Sequence, residues 1–589
     1  MIGYPFDSAQ LLAKKRSIKR ELLAKEGLVP KKVAIMSGST VGEVKNMLEL
    51  FLLDNGIVPE FYVGEYALWY ENLVFDDGSL AAFKPDFIYI HTSMQNISNL
   101  PTQADGTEAI EEKLRAEMKR WQTAWAAAAK TGAVILQNNF DLPWYRVMGN
   151  MDATDVHGHV NFINRLNLLF SDYAAKTPNF YINDLHYLSA AAGIHSWFSP
   201  AVWYAYKYLC DTKHIPVLCH SLANIIKSSL GKNKKSVILD LDNTLWGGII
   251  GDDGADGIEL GEETPTGRAY TEFQAYLKEL AGMGIMLNVC SKNEKDIALT
   301  GFARQDSVLK EKDFLCFKAN WEPKHLNVAT IAKEINIMPD SFVFMDDNPA
   351  ERDIVKREIA GVTVPDITTP EEYIRVLDGA GYFEVTTLSA DDKKRNEMYK
   401  QNLQRAEMEQ SFGDYTDYLK SLAMHCEIGH FDAAHAERIT QLINKTNQFN
   451  LTTRRYTAAE VESLIGNDEY ITLYGRLVDK FGDNGIVTAM IGHKQGSTLE
   501  IDLWIMSCRT FKRNLEHAMF DAMVKACRDA GITQINGHYY PTAKNLLVSD
   551  FYATIGFDKT HEDESGRTFV FHVTDDYANQ NAVMDVQYL

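Results

Sequence analysis

A group of polar residues stands where the chain could do chemistry on one substrate: Asp240, Asp242, Thr244, Ser291, Lys324, Asp346 and Asp347. The first two interrupt the apolar run Val237-Ile-Leu-Asp-Leu-Asp-Asn-Thr-Leu-Trp246. A buried carboxylate is costly unless a cation or hydrogen bonds satisfy it. Two carboxylates one residue apart therefore point to a metal or to proton transfer. Ser291 adds a hydroxyl donor, Lys324 an ammonium, and Asp346-Asp347 a second acidic pair. Oxygen donors of this kind suit Mg2+ and no softer metal. A solvated Asp-x-Asp turn is the bland alternative, and the recurrence of polar residues after successive apolar runs argues against it.

The elements that must position these groups read as strands and helices in alternation. A strand over 236–241 precedes a glycine-rich stretch (Gly247, Gly248, Gly251, Gly254, Gly257), then a helix from Thr266 with Phe273, Leu277 and Leu280 on one stripe. Further strands at 285–290 and 342–345 end in Ser291-Lys-Asn293 and Asp346-Asp-Asn348. In open parallel sheets, sites form beyond the carboxyl ends of strands.

The preceding region repeats the pattern, with strands at 33–36, 86–90, 134–137 and 180–182 and helices over 43–53 and 108–129. The fold class is thus multidomain α/β with parallel sheets, followed by a smaller α+β domain. We expect domains at 1–230 and 231–388, a charged helical connector at 389–421, and the α+β domain at 422–589. The Asn/Thr-rich run Asn444–Thr453 reads by default as a surface turn, with a binding loop as the alternative.

Across 589 residues, Lys+Arg of 59 against Asp+Glu of 80 leaves −21, which disfavours non-specific contact with nucleic acid or an anionic membrane. No apolar run reaches membrane-spanning length, and no apolar signal core follows the basic N-terminal stretch. The cysteines (Cys210, Cys219, Cys290, Cys316, Cys426, Cys508, Cys527) are odd in number and lack C-x-x-C spacing, as expected of reduced cytoplasmic thiols.

The motifs Asp240-Leu-Asp-Asn-Thr244, Ser291, Trp321-Glu-Pro-Lys324 and Asp346-Asp-Asn-Pro-Ala-Glu351 resemble those of the haloacid dehalogenase superfamily of aspartate-based phosphotransferases. The resemblance implies Asp240 as nucleophile, Asp242 as acid and base, Ser291 and Lys324 as phosphate contacts, and Mg2+ held by Asp240, the Asp242 carbonyl and Asp347. Asp346 and Asn348 would support that shell. Thr244, Trp246, Asn293 and Asn348 would face the substrate, with Trp246 either lining the entrance or packing in the flap. Neither segment between the motifs is long enough for a full cap domain, so the site is either open to a bulky or protein-attached substrate or roofed by the flanking domains.

The longer wording around these motifs, from Leu-Asp-Asn-Thr-Leu-Trp-Gly-Gly to Phe344-Met-Asp-Asp-Asn-Pro-Ala-Glu-Arg352, resembles FkbH-like proteins. Those are associated with glyceryl transfer from 1,3-bisphosphoglycerate to an acyl carrier protein. That chemistry implies a thiol, with Cys290 first and Cys508 second. Alternatives are a phosphatase acting on a sugar phosphate in surface-polysaccharide assembly, and a non-catalytic scaffold.

The C-terminal region resembles GNAT-type acetyltransferases, which makes Arg509, Lys512 and Arg513 candidate phosphopantetheine contacts, although Lys512 and Asn514 occupy places where that fold's loop has glycine. The N-terminal region, with Ile35-Met-Ser-Gly-Ser-Thr40, resembles SGNH-type hydrolases. Ser39 is the nucleophile-like residue and Asn138 and Asn139 the candidate oxyanion donors. The candidate partners Asp184, His186 and His195 do not stand at the Asp-x-x-His spacing of such enzymes.

Overall fold

The computed structural model describes residues 2–542 and 544–589 and divides into two compact units, one of Phe6–Ser228 and the other of Ser229–Leu589 with Gly3–Pro5. In the first unit, β1 (Val29–Ser37), β2 (Ile57–Val63), β3 (Phe87–His91), β4 (Val134–Asn138) and β5 (Phe180–Asn183) form a parallel sheet in the order β2-β1-β3-β4-β5. The helices Gly42–Asp54 and Thr107–Ala129 cross between strands, as their apolar spacing predicts. β2 has no counterpart in the sequence reading. Its Pro59 breaks the pattern of a central strand, and the structure tolerates it because β2 is the sheet edge.

The second unit opens with β6 (Ser236–Leu239), β7 (Met286–Ser291), β8 (Phe314–Ala319) and β9 (Phe342–Met345), a parallel sheet ordered β8-β7-β6-β9. β6 is central and buried throughout, as its unbroken apolar run requires. The helix Pro265–Gly282 starts where Thr264 accepts a hydrogen bond from the Gly267 N–H, and its Phe273, Leu277 and Leu280 join the core on one face. The glycine-rich stretch is largely helical, Ile250–Gly257, kinked where Gly254 takes φ 70°.

The charged connector is three helices, Ala390–Lys393, Arg395–Glu409 and Tyr415–Ser421, and not one. Beyond it lies an α+β domain. Its mixed sheet includes β10 (Met424–Gly429), β11 (Phe449–Asn450), β12 (Tyr470–Asp479), β13 (Gly482–Gln495), β14 (Thr498–Met506) and β15 (Gln534–Tyr539). β14 and β15 run parallel but pair only between Thr498–Glu500 and Gln534–Asn536.

The run Asn444–Thr453 is not a surface turn. β11 pairs with β14 at Met506 and Ile505, the Leu451 N–H donates to Trp504 O at 3.3 Å, and the Tyr540 N–H donates to Leu451 O at 2.9 Å. These residues fill the gap where β14 and β15 diverge, and supply the backbone partners the parting strands lack. No helix among the described residues is long and apolar enough to cross a membrane.

Candidate active site

The carboxyl ends of β6, β7 and β9 bring the sequence-predicted residues together. Asp240 follows β6, and its N–H donates to Met345 O on the neighbouring strand at 2.9 Å. The chain then turns sharply, with Asn243 at φ 54° and Tyr373 Oη donating to Asn243 O at 2.9 Å. Lys324 opens the helix Lys324–Glu334 directly after Pro323. The residue is 4 % exposed, and its ammonium lies 2.8 Å from Asp240 Oδ2 and 2.6 Å from Asp346 Oδ2.

Asp240, Asp346 and Asp347 offer carboxylate oxygens within 4.8 Å of one another. One ammonium does not neutralise three carboxylates. Burial and the Asp240 charge push the Asp346 carboxyl up to about 6 and raise that of Asp347. Burial pulls the Lys324 ammonium down, but Asp240 and Asp346 outweigh it and hold the ammonium above its ordinary value. Asp240 Oδ1 is buried with no hydrogen-bond partner among the described residues. A buried carboxylate oxygen left bare, beside two further acids, fits a hard divalent cation.

Asp242 is positioned by its neighbours. Its Oδ1 accepts from Trp246 Nε1 at 2.9 Å and from the Ile250 N–H at 3.1 Å; its Oδ2 accepts from Asn293 Nδ2 at 2.9 Å. Asn293 Nδ2 also reaches Ser291 Oγ at 3.2 Å, linking the acid to the hydroxyl. Trp246 is wholly buried and packs edge-on against Phe302, so it anchors the flap and orients Asp242 and does not line the entrance. Thr244 is also wholly buried, its Oγ1 without a partner among the described residues.

Asn348 does not turn to a substrate: its Oδ1 accepts the Ala350 N–H and caps the helix Pro349–Glu358, as an Asn before Pro at a helix start does. Arg352, to which the sequence reading gave no role, fixes the acidic loop. Its Nη1 donates to the carbonyls of Asp346 at 2.9 Å and Asp347 at 2.8 Å.

Three candidate groups are corrected. Cys290 is wholly buried among Ile238, Val328, Ile331 and Phe344, and its Sγ donates to Lys324 O at 3.6 Å. Burial pushes its thiol up. Successive strand residues alternate between faces, so a strand that presents Ser291 to the site turns Cys290 into the helix layer. Cys508 is the one cysteine that is not fully buried.

Of the proposed phosphopantetheine contacts, the two arginines are engaged by the chain itself, whereas the Lys512 side chain is exposed and only its backbone carbonyl is held. Arg513 is buried against Asp479 at 3.2 Å and Asn402 at 2.8 Å; Arg509 Nη1 reaches Met398 Sδ; Tyr415 Oη donates to Lys512 O at 2.5 Å. Lys512 and Asn514 nonetheless adopt φ of 65° and 60°, the left-handed geometry that glycine would have filled.

In the first unit Ser39 is wholly buried, not presented at a surface, and its Oγ has no hydrogen-bond partner among the described residues. Asn138 bonds Tyr89 Oη and Asn183, and Asn139 bonds Asp184 at 2.7 Å. Asp211 and His214, which the sequence reading overlooked, do have the Asp-x-x-His spacing. Asp211 accepts the Lys213 N–H, and His214 Nε2 lies 2.9 Å from Ser196 Oγ.

Residues 44–227 match the family model described as FkbH, N-terminal domain. No curated protein matches the chain. The N-terminal part of the protein BF1531 from Bacteroides fragilis, solved with its phosphatase domain complexed with Mg, is 28 % identical. It aligns over 63 % of this chain and 99 % of its own, at a TM-score of 0.59. The ribosomal-protein-S18-alanine N-acetyltransferase from Escherichia coli is 10 % identical over 27 % of this chain and 98 % of its own, at a TM-score of 0.20. A GNAT-family acetyltransferase from Staphylococcus aureus is 12 % identical over 25 % of this chain and 99 % of its own, at 0.21.

Proposed function

We propose that this chain, which joins an FkbH N-terminal domain to a haloacid-dehalogenase-type phosphatase domain, is a Mg2+-dependent phosphohydrolase working through an aspartyl-phosphate on Asp240. The observation that carries the reading is the bare, buried Asp240 Oδ1, set beside the ammonium of Lys324 and the acids Asp346 and Asp347. An Asp240 oxygen attacks phosphorus; the O–P bond forms as the bond to the leaving oxygen breaks. Asp242, steadied by Trp246, Ile250 and Asn293, gives its proton to that oxygen. In the second half it takes a proton from water, which attacks phosphorus and frees Asp240.

Ser291 and Lys324 hold the phosphoryl oxygens, and Lys324 offsets the repulsion between carboxylate and phosphate. Asp240, the Asp242 carbonyl and Asp347 would hold Mg2+, with Asp346 supporting them, and the ion would supply charge neutralisation at the phosphoryl oxygens. The complex of the BF1531 phosphatase domain with Mg supports that assignment.

The second reading couples this chemistry to glyceryl or acyl transfer onto a carrier protein, and the FkbH N-terminal domain match favours it. With Cys290 buried, its thiol would have to be Cys508. Phosphate release from acetyl phosphate in the presence of Mg2+, abolished by Asp240→Asn, tests the main reading and separates it from that of a non-catalytic scaffold. Wild-type protein that releases no phosphate refutes it.

A further inference from the structure

The segment that joins β8 to Lys324 carries one large side chain that the proposed chemistry does not use. Trp321 lies two residues past β8 and three before Lys324, and it is 66 % exposed. Indoles are ordinarily mostly buried, and of the nine tryptophans in this chain only Trp144, at 37 %, is also counted as exposed.

The exposed ring is nevertheless fixed. Its Nε1 donates to Glu294 Oε1 at 2.7 Å. The Asn320 N–H donates to Ser291 O at 3.1 Å, and the Glu322 N–H to Asn320 Oδ1 at 3.0 Å. The amides of Asn320 and Asn327 donate to each other. A ring already immobilised loses little entropy when a ligand stacks on it.

Its placement follows from a chain of contacts. Asp242 accepts from Asn293; the next residue, Glu294, holds Trp321. From the other direction, Asp242 accepts the N–H of Ile250, and the adjacent Ile249 is 47 % exposed. These contacts tie Asp242, through the chain neighbours of its partners Ile250 and Asn293, to the exposed side chains of Ile249 and Trp321.

We infer that Trp321 is the platform on which the leaving group stacks, and that this group is a polyhydroxylated ring, so that the substrate is a sugar phosphate. The inference rests on the phosphohydrolase reading above. An indole face suits the C–H face of such a ring, and the Glu294 carboxylate suits its hydroxyls as acceptor. Protein interface cores are depleted of charge, whereas Trp321 stands among exposed Lys292, Glu294, Lys295 and Glu322.

The test compares kcat/KM for acetyl phosphate, which has no ring, with that for glucose 1-phosphate, glucose 6-phosphate and ribose 5-phosphate. Wild type, Trp321→Ala and Trp321→Phe are assayed with Mg2+. Trp321→Ala is expected to lower kcat/KM on the best sugar phosphate by about tenfold, chiefly through KM, as loss of uniform binding does. Acetyl phosphate turnover stays within about twofold, and Trp321→Phe regains most of the loss. Equal losses on both substrate types, or none on either, overturn the inference. So does wild-type protein that hydrolyses acetyl phosphate and no sugar phosphate, which would leave the phosphohydrolase reading standing. Wild type inert towards every substrate overturns both.

Discussion

Replacing Lys324 by Met removes a buried charge and keeps most of its volume. The ammonium stands 2.8 Å from Asp240 and 2.6 Å from Asp346. With an effective dielectric constant of about 20, each contact is worth roughly 6 kcal/mol of Coulomb attraction before desolvation is charged against it. Measured losses on removing one partner of a buried pair are smaller, about 3–5 kcal/mol, and the near-isosteric Met adds little cavity cost. The transition that includes β6–β9 should then melt roughly 6–20 °C lower in a calorimetric scan, at about 2–4 °C per kcal/mol.

Phosphate release should fall by about a hundredfold or more, as it does when a preorganised group is taken from developing charge. The double substitution Lys324→Met with Asp346→Asn removes one stranded carboxylate. It should regain roughly 1–3 kcal/mol of stability while staying inactive. Added Mg2+ should raise the melting temperature of Lys324→Met more than that of wild type, because the acids lose a competing cation. A single variant that melts within about 1 °C of wild type and turns over acetyl phosphate within about threefold of it would refute the account of the site.

Three further outcomes follow from other parts of the chain. Burial alone would push the Asp392 carboxyl up, but Lys445, Arg395 and Ser389 hold it at about 2, below the ordinary 3.8. A depressed acid contributes stability that is present above its unfolded value and lost as pH falls towards 2. Asp392→Asn should therefore cost about 1–3 kcal/mol at pH 7 and flatten the acid limb of a stability–pH curve. Asp479 sits between Arg405 at 2.6 Å and Arg513 at 3.2 Å, all buried, so Asp479→Ala should destabilise the C-terminal domain by about 3–5 kcal/mol without changing phosphate release. Native protein treated with N-ethylmaleimide should label Cys508 and spare Cys290 by peptide mass mapping, and Cys290→Ala should keep phosphohydrolysis within about threefold; label on native Cys290 would contradict its burial.

The order of apolar runs and the polar residues that end them determined the parallel sheets and the gathering of Asp240, Ser291, Lys324 and Asp346. A buried strand must be apolar along its length, and whatever polar group follows it emerges at the sheet's carboxyl edge. β2, with its proline, and β11, short and polar, were not legible, because the first depends on lying at an edge and the second on a gap between strands distant in sequence.

Only the tertiary structure decided which face each side chain takes. Cys290 and Ser291 are neighbours in the chain and opposites in the fold. Arg513 looked free to meet a ligand until its buried pairing with Asp479 was on view. Trp246 and Trp321 are the same residue type beside the same site, one closed into the flap and the other left open. Sequence spacing fixes which groups arrive at a sheet edge; packing against elements far along the chain fixes whether water, a substrate or another side chain meets them there.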